Sequence, residues 1–167
     1  MERLGLHLKP SLLPPPTTSD RASAALAIAL NHSLCDIVSR GSFPSDLGGA
    51  PSKTSSSSSV ASRTFPGPFF LEICDALDIS LPASQRGGGG IGGGGAAAGD
   101  LPSGGGSKRC LKLSLTDGVK VVAGLEFAPL PELRPPYPGT KLVVRDVEVK
   151  EGTLFLTPTT VRVLGGA

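Results

Sequence analysis

RCLKLSLTDGVKVVAGLEF, residues 109–127, decides how this 167-residue chain folds. Leu111, Leu113 and Leu115 alternate with Lys112 and Ser114, the period of two expected of a half-buried strand. Thr116-Asp117-Gly118 is a tight hairpin signal. The chain then returns through Val119, Val121, Ala123, Leu125 and Phe127, which the alternation assigns to the inner face, with Lys120 and Glu126 on the outer one. Gly124, in mid-strand, predicts a bend or bulge.

The same pattern extends in both directions. Beyond a proline-rich loop, APLPELRPPYPGT, comes KLVVRDVEVKEG, where Leu142 and Val144 share one phase and Val147 and Val149 the other. One extra residue at Arg145-Asp146 restores the pairing and predicts a β-bulge. After the turn Lys150-Glu151-Gly152, TLFL and TVRVL count as one strand bent at a Thr-Pro, with Leu154, Leu156, Val161 and Val163 facing in. Upstream, PFFLEICDALDIS is apolar on much of both faces, which suits a strand inside a sheet. Bent strands, a bulge and short hairpins predict a mainly β fold, a small five-stranded OB-fold barrel.

The rest of the chain divides by composition. Gly (23) and Pro (16) are abundant, so the ordered part is smaller than the length suggests. Residues 1–18, with Pro14-Pro15-Pro16, read as a disordered tail. Residues 19–47 read as a helical segment of one or two helices. Ser19 or Asp20 is the N-cap, Ala25, Leu26, Ile28, Leu30, Leu34 and Ile37 form the apolar face, and Gly41 is the stop. Residues 48–66 form a Ser-rich linker. The OB-fold domain then occupies 67–166, with a Gly-rich low-complexity insertion at 85–107, after the first strand. Those glycines lack a following GK[ST] and a helix pattern, so they predict a flexible loop rather than a phosphate cradle.

Chemistry is hard to assemble from these residues. The histidines, His7 and His32, lie outside the barrel segments, and the acids fall in turns or on polar strand faces, so no enzyme and no cofactor are expected. Cys35, Cys74 and Cys110 are widely spaced without a CxxC pair, which predicts reduced, partly buried thiols rather than a metal site. The N-terminus is a poor signal peptide and no run of apolar residues is long enough for a span, so the expectation is a soluble, intracellular protein with neither membrane nor small-molecule partner.

LTDG, GLEF, the LPEL-type loop, PGTKL and LFLTP-x-x-VRVLGG, with FFLEICDALDISLPASQ upstream, resemble the OB-fold domain of the RecQ-mediated genome instability protein 1 family. The OB domain of the Tudor-domain partner of topoisomerase III-beta is similar. The resemblance covers residues 69–86 and 108–166. It implies a non-catalytic, nuclear scaffold subunit that holds type IA topoisomerase III. Through it, a RecQ helicase would join a complex that dissolves recombination intermediates such as double Holliday junctions. In the family an insertion between the first two strands reaches the topoisomerase gate; here it is Gly/Ala-rich, with Ile91 and Leu101 almost its only bulky residues. The helical region is short for the family, and the chain stops at Ala167 where the family continues into a helix, so the expectation is a short form, a fragmentary gene model or a paralogue lacking a second OB domain.

Partner contacts are accordingly expected at Ile91, Leu101, Leu130, Leu133, Pro135, Pro136 and Tyr137, apolar side chains on the insertion and the proline-rich loop. The alternative is an OB-fold module that binds single-stranded nucleic acid directly through Lys108, Arg109, Lys112, Lys120 and Arg162. Residues 107–167 hold nine basic residues against six acids, but only Phe127, Tyr137 and Phe155 could stack, and Phe127 is expected to face inward. DNA contact is therefore expected to be weak or indirect.

Overall fold

The computed structural model describes residues 5–13, 21–44, 47, 62–81 and 109–166. The Gly-rich insertion, with Ile91, Leu101 and Lys108, lies outside the described residues.

A 3-10 turn at Pro10–Leu12 precedes two helices, α1 (Arg21–Asn31) and α2 (Leu34–Ile37). The strands follow as β1 (Arg63–Phe65), β2 (Phe69–Asp78), β3 (Leu111–Thr116), β4 (Val121–Glu126), β5 (Lys141–Val144), β6 (Val147–Lys150), β7 (Thr153–Leu156) and β8 (Val161–Gly165). They form one sheet in the order β1-β6-β7-β4-β3-β2-β5-β8, antiparallel except between β4 and β7. β5 and β6 stand near opposite ends of that order yet are joined by Arg145 and Asp146 alone, so the sheet must curl on itself.

Eight short strands thus replace the expected five, because the bends at Arg145-Asp146 and at Thr157-Pro158 are breaks and β1 is an additional strand. Asp146 takes a left-handed φ of 48°. The amide of Arg145 donates to Thr160 O and that of Asp146 to Pro66 O, so the kink leaves both donors satisfied. Between β7 and β8, the amides of Thr160 and Val161 both donate to Thr157 O, a turn that redirects the chain from β4 to β5. The register shifts lie elsewhere, in β2 against β3 between Ile73 and Asp75 and in β5 against β8 between Lys141 and Leu142.

β2 separates two cores, as its two apolar faces require. On the inner side Leu71 and Ile73 pack with Leu113, Leu115, Leu142, Leu154 and Leu156. On the outer side Phe70 and Val143 pack with Leu6, Leu8, Ala25, Ala29, Leu34 and Ile37. Over residues 5–13, the described part of 1–18, the outer core corrects the reading as a tail. Leu8 bridges Val38, the amide of Lys9 donates to Ile37 O, and that of Ser39 to His7 O. The predicted linker is likewise corrected at its C-terminal end, since β1 pairs with β6.

The helical segment is tied to the sheet by two buried carboxylates. Glu72 accepts from the amide of Leu34 at 2.6 Å and stands 3.3 Å from Lys141 Nζ. Asp117 accepts from the amides of Val119 and Lys120 through Oδ1, closing the β3–β4 hairpin, and from Phe43 through Oδ2. Gly41 is not the helix stop; α1 ends at Asn31. A Cβ at Gly41 would lie 2.4 Å from Asp117 Oδ2, so the glycine permits this close approach.

Candidate interaction surface

β4 faces the opposite way from its expected orientation. Val122, Gly124 and Glu126 point inward and are buried, while Val119, Val121 and Phe127 are 62%, 65% and 65% exposed. Two features make the polar-looking parity the inner one. Gly124 leaves the space that Leu115 and Leu156 fill, its hypothetical Cβ lying 2.9 and 3.0 Å from their Cδ1 atoms. The register of β3 with β4 runs through it unshifted, so the predicted bulge is absent and the glycine serves packing.

Glu126 is neutralised internally. Arg109 donates to it twice, through Nε at 3.1 Å and Nη2 at 2.7 Å, and the amides of Leu111 and Leu130 donate at 3.1 and 2.8 Å. Arg109 also reaches the carbonyls of Leu130 and Leu133. A bidentate guanidinium–carboxylate pair is geometrically specific, and here it pins the proline-rich loop to the base of the barrel. Arg109, predicted as a nucleic-acid contact, thus engages its guanidinium with Glu126 and the loop carbonyls. Leu130 and Leu133, expected at a partner surface, are buried in the barrel core under the same clamp.

With Glu126 inside, the outer face of β4 is an apolar stripe on a rigid sheet. Register aligns Leu77, Lys112, Leu125, Phe155 and Glu148 in one row across β2, β3, β4, β7 and β6. Phe127 meets Phe155 edge to face at 5.5 Å, and Lys150 Nζ stands 5.2 Å from the Phe155 centroid. Lys150 also pairs with Glu148 at 3.1 Å. Lys112 and Lys150 on this face are offset by Glu148 and by Asp75, which registers with Ser114. An apolar centre with a charge-balanced polar rim is the anatomy of a protein-binding patch.

Residues 96–167 match the family described as RMI1, N-terminal OB-fold domain. The matched segment is similar to an RMI1-type OB-fold domain. RecQ-mediated genome instability protein 1 of Arabidopsis thaliana is 40% identical over 101 residues, 60% of this chain and 14% of the relative. The protein of that name from Oryza sativa subsp. japonica is 31% identical over 109 residues, 65% of this chain and 12% of the relative. That of Mus musculus is 45% identical over 60 residues, 35% of this chain and 10% of the relative. The matches span no more than 14% of these relatives' length.

The remaining expected site residues do not gather at one place. Pro135 and Tyr137 are exposed and Pro136 half-buried, on the loop held by Arg109. Lys112 and Arg162 are exposed on β3 and β8, strands that do not pair. Lys120 is half-buried, and its Nζ donates to Pro44 O at 3.3 Å. The outer β4 stripe was missed because its signal, a full alternation of apolar residues, is also that of a core face.

Among the described residues no group of His, Cys, Asp and Glu is arranged to hold a metal ion. The cysteines are free thiols. Cys35 and Cys74 are exposed rather than partly buried, and Cys110 is intermediate. Partial desolvation at the sheet surface, then the Glu72 charge, pushes the Cys74 thiol up, and partial desolvation followed by Glu126 does the same to Cys110. Among the described residues no helix is long and apolar enough to cross a membrane.

Proposed function

We propose that this chain is a non-catalytic scaffold domain of a nuclear genome-stability complex. It holds a type IA topoisomerase III through the outer face of β3, β4 and β7, and through that enzyme joins a RecQ-type helicase acting on recombination intermediates. The observation that carries this reading is the charge-balanced apolar stripe of Val121, Leu125, Phe127 and Phe155 on a rigid sheet. The relatives' name, RecQ-mediated genome instability protein 1, supplies the setting. Aromatic side chains near the centre of a docking patch carry most of its affinity.

One observation favours a second reading, direct binding of single-stranded nucleic acid. Phe127 is exposed beside Phe155, with Lys150 against the Phe155 ring, so the objection that Phe127 faces inward no longer holds. The equal charges on the face count against it, because single-strand grooves are strongly basic. Co-purification with topoisomerase III from the same source, at low and at about 0.3 M salt, separates the two. Stoichiometric capture that survives salt supports the scaffold. Salt-sensitive retention on single-stranded DNA without capture supports the second reading.

A further inference from the structure

A second concave surface lies where residues 40–44 meet residues 65–69, a groove of about 780 Å³. Its apolar lining is Phe43, Phe65 and Phe69 with Pro44, Pro66 and Pro68. Two cationic side chains, Arg40 and Lys120, border it, with the His7 imidazole beside them. Among the described residues of the lining Asp117 is the one acid, and its carboxylate accepts from the amides of Phe43, Val119 and Lys120. Ser42, also in the lining, has the one buried side-chain polar atom without a hydrogen-bond partner among the described residues. Unsatisfied buried hydroxyls are rare enough to need an explanation.

We propose that this groove binds an extended acidic peptide segment bearing an apolar anchor side chain. The cationic border complements the carboxylates, and the Phe and Pro walls take the anchor. A nucleic-acid strand carries the same charge but needs open ring faces for its bases. Phe43 and Phe69 are only 8% and 6% exposed and pack on each other at 5.5 Å, and the half-buried Phe65 ring carries the Arg63 guanidinium 5.3 Å from its centroid, which leaves no pair of open faces. The chain's own residues 48–61 contain no acidic residue, so they lack the complementary charge. The inference is independent of the topoisomerase reading, because it rests on a different surface and on charge.

The test is fluorescence polarisation of the full chain with a short fluorescein-labelled peptide that alternates Asp and Glu around one Phe. The same peptide with Lys for each acid, and an oligo-dT of matching length, serve as comparisons. The expected result is saturable binding of the acidic peptide alone. Arg40→Glu and, separately, His7→Glu should weaken it about tenfold, with Arg162→Glu leaving it unchanged. Circular dichroism establishes that each variant is folded. Absence of binding, binding indifferent to both groove variants, or equal Arg40-sensitive binding of oligo-dT would each overturn the proposal.

Discussion

Glu126 and Gly124 set the orientation of β4, and both act by what they exclude from the inner face. Glu126 is reached by Arg109, 17 residues earlier, and nothing local in the sequence announces that pairing. A lone Glu at the end of a strand reads as solvent-facing until its partner is known. Arg109→Met should cost about 3–5 kcal/mol in urea denaturation, the penalty for stranding a buried carboxylate. Gly124→Ala should cost about 1–3 kcal/mol by overpacking, and combining it with Leu115→Val should recover part of that loss.

Asp78 offers a pH test. Burial tends to raise its pKa, but hydrogen bonds from the Ser80 hydroxyl and amide and from the Cys110 amide, with the Arg109 charge, outweigh it and hold the carboxyl below its ordinary value. A depressed folded value means stability that is complete above the unfolded pKa of about 4 and is lost as pH falls through the folded one. The stability difference between wild type and Asp78→Asn should therefore be largest near neutrality and shrink in acid. The thiols titrate the other way. Cys74 and Cys110, with raised values, should alkylate more slowly at neutral pH than cysteine in an unstructured peptide.

Among the elements, the strands were legible wherever one face is buried and the other wet. β3 shows this best, with Leu111, Leu113 and Leu115 all buried, and the Thr116-Asp117-Gly118 hairpin lies where its residues predicted it. Strand breaks were visible only as phase changes, because a bulge and a kink between two strands leave the same one-residue slip at Arg145-Asp146. The N-terminal segment was not legible. Leu6 and Leu8 are too few to set a period, and their burial depends on Phe70 and Val143, which are distant in sequence. Deleting residues 1–13 should remove at least about 3 kcal/mol of apolar burial. A lowered melting temperature and new binding of a hydrophobic dye to the outer face of β2 and β5 would report it.

At the scale of the whole molecule, the OB-type sheet is a platform with two differently built surfaces, an apolar stripe on β4 and a cation-edged groove beside β1 and β2. The fold class could be read from alternation and from a handful of family motifs. The candidate site could not, since the rule that places apolar residues inside assigned the stripe to the core, while the expectation that loops carry contacts put Leu130 and Leu133 at the surface, the reverse of their positions. Only the inner volume, filled by Leu115 and Leu156 and closed by the Arg109–Glu126 pair, explains why β4 turns its apolar residues outward. Capture of topoisomerase III by the full chain, comparing wild type with Phe127→Asp in about 0.3 M salt, tests whether β4 is the docking surface. Because Phe127 is exposed, the variant should fold within about 0.5 kcal/mol of wild type. Loss of capture by a fully folded Phe127→Asp chain is the predicted result. Undiminished stoichiometric capture would contradict the placement of the docking surface on β4.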